Sequence, residues 1–83
     1  MRGRRLPRGF LRFGAFRPGD YQVVTTGSEN VLGLWVLSPG GGSPSHVTER
    51  AYSEHRDGTV SIEGEMELDG WRGFLERGIW RPA

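Results

Sequence analysis

Val60-Ser61-Ile62-Glu63-Gly64-Glu65-Met66-Glu67-Leu68-Asp69 is the most regular stretch of the chain. Val60, Ile62, Met66 and Leu68 fall on one parity, with Gly64 between them. Ser61, Glu63, Glu65, Glu67 and Asp69 fall on the other. Successive side chains of an extended chain point to opposite faces, so this period of two predicts a strand. One face is apolar and buried, the other acidic. Gly64 predicts a bulge or bend in so long a strand.

Turn signals bracket this stretch on both sides. Asp57-Gly58 precedes it and Asp69-Gly70 follows it, and either dipeptide suits a tight hairpin. Trp71-Arg72-Gly73-Phe74-Leu75 then reads as a strand, and Glu76-Arg77-Gly78 turns the chain into Ile79-Trp80. Gly78 suits a left-handed position. Upstream, Arg17-Pro18-Gly19-Asp20 suits a turn, with proline at the second position and glycine at the third. Tyr21 to Thr25 follows as a strand, and Gly27-Ser28-Glu29-Asn30 predicts the next turn. Val31 to Leu37 is apolar on both parities and predicts a central strand covered on both sides. Ser45 to Asp57 is compatible with a strand or a helix, and its entry into Asp57-Gly58 favours the strand.

The fold class follows: all-β, a small antiparallel meander of five to seven strands, as an open barrel or a two-layer sheet. The chain has 83 residues, no cysteine and 14 glycines, which allows one small core and no disulfide framework. Trp35, Trp71, Trp80, Phe74, Tyr21 and Tyr52 are the aromatic core candidates. The longest apolar run, Val31 to Leu37, is too short to span a bilayer, so no membrane role is expected. The N-terminal arginines are followed by no apolar segment of the kind a secretory leader needs.

The net charge of +1 conceals a division. Residues 1–17 contain Arg2, Arg4, Arg5, Arg8, Arg12 and Arg17 and no acid, whereas residues 18–83 contain five arginines against ten acids. The chain therefore reads as a basic Arg/Phe arm, 1–17, on a single small β domain, 18–83. Phe10, Phe13 and Phe16 are too many for a freely solvated segment, so either the protein's own core or a partner covers them. The arm could contact another protein, could bind nucleic acid with arginines on phosphates and phenylalanines stacked on bases, or could fold onto its own body.

Glu63, Glu65, Glu67 and Asp69 are the complementary feature. On one strand they would stand about 7 Å apart as a ladder of carboxylates. Such a ladder is either a solvated face, a receptor for arginines of this or another copy, or a mimic of a nucleic-acid backbone. Its spacing is too open for a Ca²⁺ cage. His46 and His55 lack metal-ligand spacing, and no nucleophile elbow accompanies them. Gly40-Gly41-Gly42 lacks the Lys-Ser/Thr pair of a phosphate-binding loop. No catalytic residue, metal or cofactor is expected, and the chain does not read as an enzyme.

The C-terminal half carries a resemblance. Asp57-Gly58-Thr59-Val60-Ser61-Ile62, followed by Gly70-Trp71-Arg72-Gly73-Phe74-Leu75-Glu76-Arg77-Gly78-Ile79-Trp80, resembles small phage- and prophage-encoded β-proteins of unknown function. Those carry a D-G-T-[IV]-S-[IVP] strand and a W-H-G-[FY]-[LV]-x-x-G-[VI] hairpin, and some have a Cys-rich knuckle after a central apolar strand. Here Arg72 stands at the His position, and Leu37 to Gly42 has no cysteine, so a metal site is not carried over. The resemblance implies an all-β fold and a phage or mobile-element origin, and no activity.

The function expected is therefore non-enzymatic binding or assembly, in the cytoplasm of a host cell or in a virion. A protein partner or a second copy would meet Arg2, Arg4, Arg5, Arg8, Arg12, Arg17, Phe10 and Phe13 of the arm, and Glu63, Glu65, Glu67 and Asp69 of the strand face. A nucleic-acid-binding module led by residues 1–17 is the alternative. If Trp71 is a core residue, Trp71→Ala lowers stability by about 3–5 kcal/mol, and an unchanged melting temperature would refute the strand register.

Overall fold

The computed structural model describes residues 1–27, 30–47 and 51–83. Among them are nine strands and no α-helix. They are β1 (Arg4–Arg5), β2 (Asp20–Thr25), β3 (Val31–Val36), β4 (Ser45–Val47), β5 (Tyr52–Glu54), β6 (Val60–Ile62), β7 (Met66–Leu68), β8 (Trp71–Glu76) and β9 (Ile79–Pro82). A 3-10 turn lies at Phe13–Ala15. The all-β class is as expected, and the sheets do not close into a barrel. Nine short strands replace five to seven. One extra strand comes from the arm, and another arises because the long acidic stretch is divided in two.

Three sheets form: β1-β2-β3-β4, β5-β6 and β7-β8-β9. All neighbours are antiparallel except β1 and β2, which run parallel with Arg4 opposite Asp20 and Arg5 opposite Tyr21. The Arg17 to Asp20 turn closes as predicted, with Gly19 at φ 92° and the Asp20 amide donating to the Arg17 carbonyl at 2.9 Å. The turn expected at Gly27 to Asn30 includes Ser28 and Glu29, which lie outside the described residues. Thr48, Glu49 and Arg50, in the stretch compatible with strand or helix, do so too. The described parts of that stretch are the strands β4 and β5.

Two C-terminal hairpins are built from two-residue turns. Asp69 and Gly70 have φ of 49° and 83°, and Arg77 and Gly78 have 46° and 76°. Positive φ at both central residues matches the right-handed twist of the flanking strands. The long alternating stretch is interrupted at Gly64, whose φ of +80° turns the chain out of β6. β6 pairs with β5, and β7 pairs with β8 in another sheet. The parity survives the break: Val60 and Ile62 are buried, and Met66 and Leu68 pack against the same core.

That core is Tyr21, Val23, Leu34, Val36, Val47, Val60, Ile62, Leu75 and Trp80, so all three sheets contribute to it. β3 is an inner strand, yet its first two residues, Val31 and Leu32, are exposed. Trp80 is the largest fully buried side chain. Its indole Nε1–H donates to the Gly19 carbonyl at 2.9 Å, and its edge meets Trp71 at 5.4 Å between ring centroids. Around it, the Trp80 amide donates to the Met1 carbonyl at 2.8 Å, the Met1 nitrogen donates to the Trp80 carbonyl at 3.0 Å, and the Gly3 amide donates to the Gly78 carbonyl at 2.7 Å. The first residues therefore close the third sheet against the first.

Trp71 is only partly buried, which corrects the stability expectation. Trp80→Ala lowers the unfolding free energy by about 3–5 kcal/mol, as full deletion of a buried aromatic does. Trp71→Ala lowers it by less than half as much. Trp80→Phe costs about 1–3 kcal/mol, because the Gly19 carbonyl loses its donor. Urea unfolding followed by circular dichroism ranks the three variants, and equal costs for Trp71→Ala and Trp80→Ala would refute this account.

Candidate functional site

Residues 1–17 lie against the body rather than standing off it as an arm. β1 extends the first sheet, Leu6 is buried, and the Leu6 amide donates to the Tyr21 carbonyl at 2.8 Å. Further on, the Thr25 amide donates to the Gly9 carbonyl at 2.8 Å. All six residues of β2 are buried, so its second face needs polar satisfaction at Asp20 and Gln22. The N-terminal segment supplies it.

Gln22 is fully buried, and its side chain makes three hydrogen bonds. Its Nε2 donates to the Pro7 carbonyl at 3.0 Å and to the Phe10 carbonyl at 2.8 Å, and its Oε1 accepts from the Arg12 amide at 3.0 Å. One side chain therefore fixes the backbone of residues 7–12. Asp20 works similarly. Arg4 holds it through Nε at 3.2 Å and Nη2 at 2.6 Å, and it accepts from the Arg17 amide at 2.9 Å. Neither polar residue was singled out at the sequence level. The available signal was Gln22 standing between Tyr21 and the apolar pair Val23-Val24.

Arg5 and Arg8 converge on Glu54, at 2.5 and 2.8 Å. Arg5 also donates to the Gly58 carbonyl at 2.7 Å, which ties the segment to the β5–β6 hairpin. Burial pushes the Glu54 carboxyl up, but the two guanidiniums outweigh it and hold it below its ordinary value. Three arginines of the segment thus face acids or carbonyls of their own chain. The Arg12 and Arg17 side chains are exposed, and Arg2 is exposed at the start of the segment.

The phenylalanines divide. Phe16 is partly buried, whereas Phe10 is 70 % exposed and Phe13 is 52 % exposed. The expectation that something covers all three is met by the protein's own body only for Phe16. Phe10 lies beside Gly27 at the end of β2, where a Cβ on Gly27 would come within 3.3 Å of its ring. Phe10, Phe13, Arg12 and Arg17 thus sit on one short segment with its backbone pinned from below by Gln22 and Asp20.

The acidic ladder does not form, because Gly64 separates its members. Glu63 is in the bend after β6, and Glu67 is in β7 opposite Arg72. Arg72 pairs with Glu65 at 3.2 Å and approaches Glu67 at 4.0 Å. Asp69 is a turn residue that accepts from the Ser43 amide at 3.0 Å. None of the four meets an arginine of residues 1–17. The histidines are in packing roles: His46 stacks on Trp35 at 5.2 Å, and the His55 ring bonds Ser61 Oγ at 2.7 Å. Among the described residues no group of three or more His, Cys, Asp or Glu is arranged to hold a metal ion. Comparison with protein-family models, curated proteins and solved structures finds no match.

Two predictions follow from the pinned segment. Gln22→Leu keeps the side-chain volume but strips three backbone groups of their partner. It costs about 1–3 kcal/mol and abolishes hydrogen-exchange protection of the Arg12 amide. Glu54 has a lowered folded-state pKa, so its contribution to stability is complete above the unfolded value and is lost as pH falls through the folded one. Stability therefore declines below about pH 4.5, the ordinary carboxyl value. In Glu54→Gln that decline is shallower. Parallel slopes for the two proteins in acid denaturation would contradict the pairing.

Proposed function

We propose that the protein acts without catalysis, by binding another protein through Phe10, Phe13, Arg12 and Arg17. The carrying observation is the exposure of two phenylalanines on a backbone held by the buried Gln22. Exposed aromatics are unfavourable in water unless something covers them, and a pre-ordered segment loses little entropy on docking. Aromatic and arginine side chains are also the types that dominate the binding energy of protein interfaces.

Two facts weigh for a protein over a nucleic acid. Arg4, Arg5 and Arg8 are already paired with Asp20 and Glu54, which reduces the charge available to phosphates. The surface left over is as much apolar as cationic. Self-assembly of the arm onto an acidic ladder loses its receptor, because the four carboxylates do not share a strand face. The resemblance of the C-terminal hairpin supports a phage or mobile-element origin, and with it a role in a virion or on a host protein in the cytoplasm. Among the described residues no helix is long and apolar enough to cross a membrane.

The test is photo-crosslinking in the native cell with benzoylphenylalanine at position 10 or 13, and at Glu76 as control. A discrete protein adduct from positions 10 and 13 and none from the control is the expected result. Gel shifts at low salt with DNA and RNA should be negative. A shift that vanishes in the Arg12→Ala/Arg17→Ala variant would replace this reading with a nucleic-acid-binding one.

A further inference from the structure

A second feature lies at the junction of the three sheets and is independent of the Phe10 surface. Arg2, Gly3, Tyr21, Asp57, Thr59, Arg77, Gly78 and Ile79 line a half-open cavity of about 430 Å³. Tyr21 is only 3 % exposed, and its hydroxyl reaches this cavity beside Gly78, where a Cβ would come within 3.1 Å of it. Among the described residues that hydroxyl has no hydrogen-bond partner, although Gln22 and Asp20 next to it are fully satisfied. No buried side-chain nitrogen or oxygen among the described residues lacks a partner, so this hydroxyl is open to the cavity, where it is free to donate to a ligand.

The wall chemistry indicates the kind of partner. Arg2 and Arg77 bring two guanidiniums, and Asp57 brings one carboxylate. Asp57 is kept ionised because its Oδ1 accepts from Thr59 Oγ1 at 2.6 Å and from the Thr59 amide at 2.9 Å, which hold its pKa below the ordinary value. The wall therefore carries one net positive charge, which suits a monoanion better than a dianion. Burial pushes the Tyr21 phenol up against the opposing pull of Arg5, so at neutral pH it is protonated and can donate. Arg77 has φ +46°, a left-handed conformation that a long side chain adopts at a cost.

We infer that this cavity binds a carboxylate, held by Arg2 and Arg77 with the Tyr21 hydroxyl donating to it from the floor. Guanidinium–carboxylate pairs are bidentate and charge-assisted. The carboxylate belongs either to a small free acid or to the C-terminus of a peptide.

The test is an NMR titration of the full chain at constant ionic strength with acetate, N-acetyl-trialanine or inorganic phosphate, read at the Arg2 and Arg77 Nε–H signals and the Gly78 amide. Saturable shifts with acetate or the peptide are expected, and the tighter of the two identifies the source. Phosphate should bind at least threefold more weakly. Tyr21→Phe, which keeps the ring, should weaken the carboxylate at least fivefold with little change in melting temperature. Arg77→Gly, which also relieves the turn, should abolish saturation without loss of stability. Absence of saturation with both carboxylates, phosphate binding as tight as theirs, or unaltered affinity in Tyr21→Phe would each overturn the assignment.

Discussion

The hydrogen bond from the Trp80 indole to the Gly19 carbonyl joins the last strand to the turn that begins the first long one. It couples residues 61 positions apart in the sequence and seals the centre of a core drawn from three small sheets. The two-stranded β5-β6 sheet could not stand alone, since an isolated hairpin is marginal in water. The backbone bonds of Met1 and Gly3 to Trp80 and Gly78 surround this contact. The N-terminal residues are therefore a structural strap, and the fold depends on them.

That dependence explains why the basic segment cannot be a simple tail. β2 is buried on both faces, and its outer face presents a carboxylate and an amide. Buried polar groups need partners, and the segment supplies Arg4, the Arg17 amide and the backbone of residues 7–12. Satisfying those groups fixes the segment, and the fixed segment presents Phe10 and Phe13 outward. Fold stability and the candidate contact surface thus share the same hydrogen bonds.

Much of this was legible in the residues. The parity of Val60, Ile62, Met66 and Leu68 identified the inward face correctly, because period two depends only on the local geometry of an extended chain. Asp69-Gly70 and Gly78 marked their turns, since positive φ is a local steric requirement. Phe10 and Phe13 stood out as apolar groups in a charged segment, but the protein's own body does not cover them as it covers Phe16. The break at Gly64 was visible only as a bend, because a glycine shows that the chain can turn and not which neighbour each half then meets.

The sequence by itself determined the all-β class, the inward parity of its strands, its tight turns and the division of charge along the chain. Only the tertiary structure decided where those charges go: Arg4 to Asp20, Arg5 and Arg8 to Glu54, and Glu65 and Glu67 to Arg72. It also decided that Trp80 rather than Trp71 is the centre, and that the Tyr21 hydroxyl opens into a cavity. The physical reason is range. Parity and turn conformation arise from the sterics of adjacent residues, whereas ion pairing, complete burial and the lining of a cavity depend on which distant segments the closed sheets bring together.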